Sequence, residues 1–196
     1  MKYISIDTET TGLNPNTCQL LSLGAIIEDT ENILPYEECP KFYAIITTDK
    51  ISGEPFALNM NKDIIEAISR HHNAKGIIEK LGIIEEYEAR FLNEDVLLYA
   101  LNEFLIENGF TKRPKLVAGA NFEFDKSFLS RLPHYEELNI GRRVLEPSHY
   151  TVDWKNDSIL PSLFQCKERL GLEGGVAHNA LADAWDVIQC LRSQYT

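Results

Sequence analysis

The N-terminal stretch ISIDTETTGL, residues 4–13, places two acidic side chains one residue apart at the end of a strand-like segment. Successive side chains of an extended chain alternate between two faces, so Asp7 and Glu9 share the face opposite to Ile4 and Ile6. The two carboxylates then lie roughly 7 Å apart and repel each other unless a positive charge lies between them. A divalent metal ion is the group that this pair favours.

A second acid follows the apolar segment KLVAG, which predicts a short buried strand. The next residues, NFEFD, begin a predicted helix, and Asn121 is placed to cap it. Asp125 then falls in the first turns of that helix, close to the carboxyl end of the preceding strand. In a mixed sheet, we expect the catalytic residues to lie where the strands end.

A third acid lies in AHNALADAWD, residues 177–186. Asp183 stands among alanines, which allow its predicted helix to approach a sheet closely. His178 lies five positions earlier, about 140° away around an ideal helix, so the two side chains would face apart within one helix. They converge only if His178 sits just before the helix, with Asn179 as the cap.

These three stretches, DTETTGL, NFEFD and HNALAD in that order, resemble the motifs of the DEDDh (DnaQ-like) 3′–5′ exonucleases of the ribonuclease H-like fold. That family includes oligoribonuclease, RNase T and the proofreading subunits of bacterial replicative polymerases. The resemblance implies four metal-site carboxylates: Asp7, Glu9, Asp125 and Asp183. His178 matches the general base of the family. A sister branch has a tyrosine where this chain has Asn179, so the histidine branch is favoured.

The chemistry of phosphodiester hydrolysis agrees with this assignment, because it needs a nucleophile made from water and stabilisation of charge on the phosphoryl and leaving oxygens. Two Mg²⁺ or Mn²⁺ ions roughly 4 Å apart supply most of this. We expect Asp7 to bridge the ions, with Glu9 and Asp183 on the one that binds the attacking water. Asp125 would serve the other ion, through water. His178 would remove a proton from the attacking water.

The resemblance also implies contacts with the terminal nucleotide. Thr10 and Leu13 lie in the segment that meets it, and Leu13 would pack against a base. In EPFALNMN, Phe56 and Met60 lie where family members position the last bases, although such residues more often belong to a core. Asn121 either touches substrate or caps its helix, and the cap is the favoured reading.

The elements that must position these residues follow from apolar patterning. Alternation and β-branched residues predict five strands, at 2–7, 20–29, 41–47, 115–119 and 144–154. Near-helical spacing predicts helices at 61–72, 94–108, 122–132, 162–170 and 179–193. The first three strands would form an antiparallel meander. We therefore expect an α/β fold of the ribonuclease H-like kind, with a mixed five-stranded sheet and helices on both faces.

Length and composition limit the remaining possibilities. The 196 residues, 44% hydrophobic and 25% charged, suit a single exonuclease domain over residues 1–196. No apolar run reaches the ~20 residues needed to cross a bilayer, and a first strand beginning at residue 2 leaves no room for a signal peptide. We expect a cytoplasmic protein without membrane contact. Four scattered cysteines without paired spacing argue against a structural zinc site.

The net charge of −11 argues against long-range attraction to nucleic acid. It does not exclude a nucleic-acid enzyme, because acids that hold cations meet phosphate through the metals.

The sequence thus predicts a metal-dependent 3′–5′ exonuclease that releases nucleoside 5′-monophosphates from single-stranded DNA or RNA. The sequence does not decide whether the protein binds a polymerase or repair partner or forms a homodimer. It also does not decide among proofreading, repair, RNA turnover and salvage. One alternative is an adaptor of the same fold without catalysis, which would tolerate loss of an acid, and none is lost. Another is a phosphatase that forms an aspartyl-phosphate, which would want aspartate in place of Glu9 and would not need His178.

Overall fold

The structure of the protein is a computed structural model that describes residues 1–73, 81–84, 87–111, 115–175 and 178–196. Its strands are β1 (Lys2–Thr10), β2 (Leu20–Asp29), β3 (Lys41–Ile46), β4 (Leu81–Ile84), β5 (Tyr87–Leu92), β6 (Lys115–Ala118) and β7 (Ile140–Leu145). Its helices are α1 (Pro55–Met60), α2 (Lys62–Asn73), α3 (Glu94–Glu107), α4 (Phe122–Leu129), α5 (Tyr135–Leu138), α6 (Ser148–Thr151), α7 (Leu163–Leu170) and α8 (Ala180–Arg192). None of the helices within these ranges is long and apolar enough to span a bilayer.

The strands form one mixed sheet in the order β4-β5-β3-β2-β1-β6-β7. Strands β1, β2 and β3 pair antiparallel, which confirms the predicted meander. Strand β6 runs parallel to β1, and β7 runs parallel to β6. The carboxyl ends of these three strands therefore lie at the same edge of the sheet, where the acidic motifs are expected to meet.

The predicted count of five strands is wrong, because β4 and β5 extend the sheet beyond β3 to seven strands. The strand predicted at 144–154 is also misplaced. The structure has β7 at Ile140–Leu145, and α6 follows at Ser148–Thr151. Strand β7 lies at the edge of the sheet with Arg142 and Arg143 exposed, so no apolar alternation marks it in the sequence.

Two apolar clusters pack on opposite faces of the sheet, which confirms helices on both faces. Ile4 and Ile6 of β1 pack in one cluster with residues of α3 and α4. Tyr3 of the same strand packs in the other cluster with residues of α2 and α8. Full burial of such a side chain contributes about 1.5–3 kcal/mol, so each face holds its helices firmly. Consequently α4 and α8, which carry Asp125 and Asp183, approach β1 from opposite sides.

Candidate active site

Strand β1 carries the first two acids to the edge where β1 and β6 end. The strand continues through Thr10, beyond its predicted end at Asp7, so the ladder to β2 fixes both acidic residues: Asp7 lies opposite Gly24 and Glu9 opposite Ser22. Alternation along the strand puts the two carboxylates on the same face. Glu9 is buried and Asp7 is half-buried, which keeps one side of the pair open to solvent.

Helix α8 brings Asp183 to the same place. Asn179 caps this helix, because its side-chain oxygen accepts hydrogen bonds from two backbone N–H groups of the first turn, each at 3.1 Å. Gly24 allows the helix to approach closely, since a Cβ atom at that position would lie 2.3 Å from the carbonyl carbon of Ala180. The missing side chain opposite Asp7 is thus what lets Asp183 reach the acids of β1.

Three carboxylates converge at this point. One oxygen from each of Asp7, Glu9 and Asp183 lies within 4.8 Å of the others. Loss of solvation at its partly buried carboxylate raises the pKa of Asp7 well above its ordinary value, and the negative charges of Asp125, Asp183 and Glu9 raise it further. Like charges this close disfavour full ionisation without a counter-charge. Carboxylate oxygens are the ligands that Mg²⁺ and Mn²⁺ prefer, so the three side chains fit a divalent cation.

Asp125 adjoins this group from the other face of the sheet. It lies in the first turns of α4, as predicted, and only 2% of its surface is exposed. The Thr8 hydroxyl donates a 2.7 Å hydrogen bond to its carboxylate. Burial raises the pKa of Asp125 to about 7, although the bond from Thr8 acts in the opposite direction. Asp125 does not belong to the group of three carboxylates whose oxygens lie within 4.8 Å of one another. It is nevertheless close enough for its charge to raise the pKa of Asp7.

His178 sits one residue before the cap of α8, where the sequence predicts it. Its backbone is in the left-handed region, with φ 51°, and its side chain is exposed. The histidine lines a cavity of about 890 Å³ together with Asp7, Asp183 and Asn121. An imidazole therefore opens onto the same space as two of the three converging carboxylates.

The residues predicted to touch substrate divide into two kinds. Leu13 and Phe56 are exposed, with 74% and 79% of their surfaces accessible, and Met60 is exposed to 37%. The expectation that Phe56 and Met60 belong to the core is therefore wrong. The backbone N–H of Leu13 donates to Glu54, the residue directly before α1, at 3.3 Å. Leu13 thus lies beside the helix that carries the other two apolar side chains.

Thr10 and Asn121 behave differently from these apolar residues. The Thr10 side chain is buried, and its hydroxyl donates to the carbonyl of Gly12 at 2.8 Å, so it shapes the loop that leads to Leu13. Asn121 occupies the cap position of α4 with φ 61°, but its side chain makes no capping hydrogen bond. Asn121 is among the residues that line the cavity. The prediction that the Asn121 side chain caps α4 is therefore wrong, because it makes no capping hydrogen bond. The alternative, a contact between Asn121 and substrate, stays a prediction.

Sequence reasoning missed two polar residues at the site. Glu146 directly follows β7, its side chain is 15% exposed, and it lines the same cavity as Asp7. The strand predicted at 144–154 places Glu146 inside a strand, whereas β7 ends at Leu145 and Glu146 follows it. Thr8 lies between the two acids of β1, and its hydroxyl donates to the carboxylate of Asp125. Alternation alone predicts that Thr8 points to the face from which α4 approaches.

No family model and no curated protein sequence matches this chain. Solved structures of E. coli exonuclease I do match. Its complex with a dA16 oligonucleotide is 17% identical, covers 98% of this chain and 41% of that chain, and has a TM-score of 0.56. The zinc ion-bound form of its complex with single-stranded DNA is also 17% identical, with the same coverages and a TM-score of 0.59.

The chain has a ribonuclease H-like fold similar to that of E. coli exonuclease I. The apo structure of exonuclease I agrees, with a TM-score of 0.57, 17% identity, and coverage of 97% of this chain and 41% of that chain. The present chain thus spans about two-fifths of the length of exonuclease I. At this identity the likeness concerns the fold, and the chemistry has to be argued from the side chains.

Proposed function

We propose that this protein is a metal-dependent 3′–5′ exonuclease that hydrolyses phosphodiester bonds at the 3′ end of single-stranded nucleic acid and releases nucleoside 5′-monophosphates. The observation that carries the proposal is the convergence of Asp7, Glu9 and Asp183 within 4.8 Å, on a cavity that His178 also lines. The fold shared with exonuclease I, whose structures include complexes with dA16 and dT13 oligonucleotides, supports it.

In this proposal the four acids hold two divalent cations, Mg²⁺ or Mn²⁺. Asp7, Glu9 and Asp183, which each offer an oxygen within 4.8 Å of the others, would hold one ion, and Asp125, fixed by Thr8, would help to hold the second. Such ions, when bound, activate water and neutralise charge on the phosphoryl and leaving oxygens.

His178 acts as the general base in this scheme. Its exposed ring accepts a proton from the attacking water at a ring nitrogen. The proton then passes from the exposed ring to solvent, which regenerates the residue. The histidine lines the cavity beside Asp7 and Asp183, which supports this role over that of a distant surface residue.

The exposed side chains of Leu13, Phe56 and Met60 supply the apolar contacts for the terminal bases. An unpaired base offers a flat apolar face, and stacking on an aromatic ring is worth about 1–3 kcal/mol per base. Cavities of 300–1,000 Å³ are the ordinary size for small ligands, and the volume of about 890 Å³ here suits a terminal nucleotide. In this proposal the terminal nucleotide occupies the cavity, and the three exposed apolar side chains contact bases outside the cavity lining.

The proposal is tested by incubating the protein with DNA and RNA of matched sequence, each single-stranded and labelled at the 5′ end, with Mg²⁺ and with Mn²⁺. The expected result is a ladder of labelled strands shortened from the 3′ end, with nucleoside 5′-monophosphates as the released product. EDTA should abolish it. Comparison of the two substrates also assigns the preference between DNA and RNA.

Two variants provide the matched control. Asp183→Asn should lose the activity, because Asp183 supplies one of the three converging oxygens. Asp63→Asn should keep it, because Asp63 is likewise an acid in the first turn of a helix but is exposed. Cleavage of circular single strands as fast as linear ones would replace the exonuclease proposal by an endonuclease. Binding of single strands without product in either metal would favour the adaptor alternative.

A further inference from the structure

A buried lysine of α7 contacts both α8 and the backbone of Gly175. Lys167 is 3% exposed, and its ammonium group donates to the carboxylate of Asp186 on α8 at 2.6 Å. The same ammonium group donates to the backbone carbonyl of Gly175 at 2.9 Å. Gly175 precedes His178 by three positions. One ammonium group thus joins α7, α8 and the backbone at Gly175.

His178 depends on its backbone for its position. Its side chain is exposed, so the core does not hold the ring. Its φ of 51° is a conformation that a residue other than glycine adopts only when the surroundings hold it. Asn179 supplies that support on the carboxyl side, because it is buried and caps α8.

The contact between Lys167 and Gly175 supplies the corresponding support on the amino side. A buried charge pair alone does not explain a lysine here, because well-packed apolar residues can often replace such a pair without loss of stability. An apolar side chain cannot donate to the Gly175 carbonyl, whereas Lys167 does so while its charge is balanced by Asp186. The feature that requires a lysine is therefore the bond to the chain before His178.

We infer that Lys167 is a positioning residue for His178: it fixes the segment at Gly175 and thereby the direction in which the imidazole enters the cavity. This inference rests on the proposed exonuclease function. Lys167 does not line the cavity, so it acts through the backbone and not on the substrate. Misplacement of a catalytic group by about 1 Å can cost up to about 10²-fold in rate.

The experiment compares Lys167→Met with the double variant Lys167→Met/Asp186→Leu. The single variant leaves Asp186 buried without its cation, so both thermal stability and turnover should fall. The double variant removes both charges and should regain stability, while its turnover stays about 10- to 100-fold below wild type. The KM for a single-stranded oligonucleotide and the rise in Tm on addition of Mg²⁺ should stay close to wild type in the double variant, because neither depends on the imidazole.

Lys115→Met is the matched control for the loss of a buried lysine. Lys115 is 2% exposed and likewise donates to a side chain, that of Asn102, and to a carbonyl, that of Leu138. It lies at the amino end of β6, away from the edge that carries the acids. This variant should lose stability and keep its turnover per folded molecule.

Asp186→Asn gives a second test that does not depend on Lys167→Met being foldable. It keeps an oxygen for Lys167 and leaves the bond to Gly175 in place, so turnover should stay within a few-fold of wild type. The positioning role would be overturned if the double variant regained turnover together with stability. It would also be overturned if Asp186→Asn lost turnover, and in either case Lys167 would be a structural residue. A wild-type protein that releases no mononucleotides would instead overturn the proposed function.

Discussion

The stability of the metal-free protein should fall as pH rises, because the site buries carboxyl groups that favour their protonated form. Burial raises the pKa of Asp125 from the ordinary 3.8 to about 7. Between pH 3.8 and about 7, Asp125 is protonated in the folded state and ionised in the unfolded chain. The contribution of Asp125 to the free energy of unfolding is therefore fully present below pH 3.8 and is lost as pH rises to about 7. One such group changes the free energy of unfolding by about 1.4 kcal/mol per pH unit. The loss from about pH 5.5 to about pH 7 is therefore about 2 kcal/mol, and Asp7, whose pKa is also raised, adds to it.

Urea unfolding in EDTA at a series of pH values measures this dependence. Asp125→Asn should reduce the slope by about 1.4 kcal/mol per pH unit, because an amide does not titrate and its oxygen can still accept from Thr8. Glu123→Gln is the control on the same helix, since its side chain is 69% exposed, and it should leave the slope unchanged. Saturating Mg²⁺ should remove most of this decrease in the free energy of unfolding with pH, because the bound cation balances the negative charge of the ionised carboxylates. A free energy of unfolding that stays constant or rises over this range in EDTA would refute the reasoning, as would an Asp125→Asn slope equal to that of wild type.

Three further outcomes are expected. Asp7→Asn and Asp183→Asn should each abolish both turnover and the rise in Tm on adding Mg²⁺, measured by thermal melting, since each residue contributes one of the three oxygens that lie within 4.8 Å of one another. His178→Ala should keep that rise in Tm while turnover on a labelled single strand falls by about 10²- to 10⁴-fold, the usual contribution of a general base. Leu13→Ala and Phe56→Ala should raise the KM for single strands and change Tm little, because both side chains are exposed. An unchanged KM in both would exclude them from substrate binding.

Much of the candidate site could be predicted because its geometry follows from short-range rules. The alternation of side chains in a strand sets Asp7 and Glu9 on one face whatever the rest of the fold does. The preference of asparagine for the cap position fixes where α8 begins, and this in turn places His178 outside the helix. Asp183 then lies in the first turn of α8, facing the sheet. Each of these steps uses residues close together in the sequence.

The parts that could not be predicted depend on contacts between residues distant in the chain. Strand β7 is an edge strand with two exposed arginines at its centre, so its pairing with β6 leaves no apolar pattern, and Glu146 was missed with it. The close approach of α8 to Gly24 involves residues more than 150 positions apart. A glycine in a strand signals such an approach, but the sequence does not say which element makes it.

The two faces of the sheet contribute to the site independently, and this explains how a small edge can hold four acids. Asp183 is fixed by the cluster that packs α8 against one face, and Asp125 by the cluster that packs α4 against the other. Strand β1 is the element common to both, because Asp7 faces Asp183 while the neighbouring Thr8 holds Asp125. Repulsion among the carboxylates is thus opposed by two separate sets of apolar contacts, each of them buried. The acids can be held together before any cation arrives, so that the energy of cation binding need not be used to fold the site.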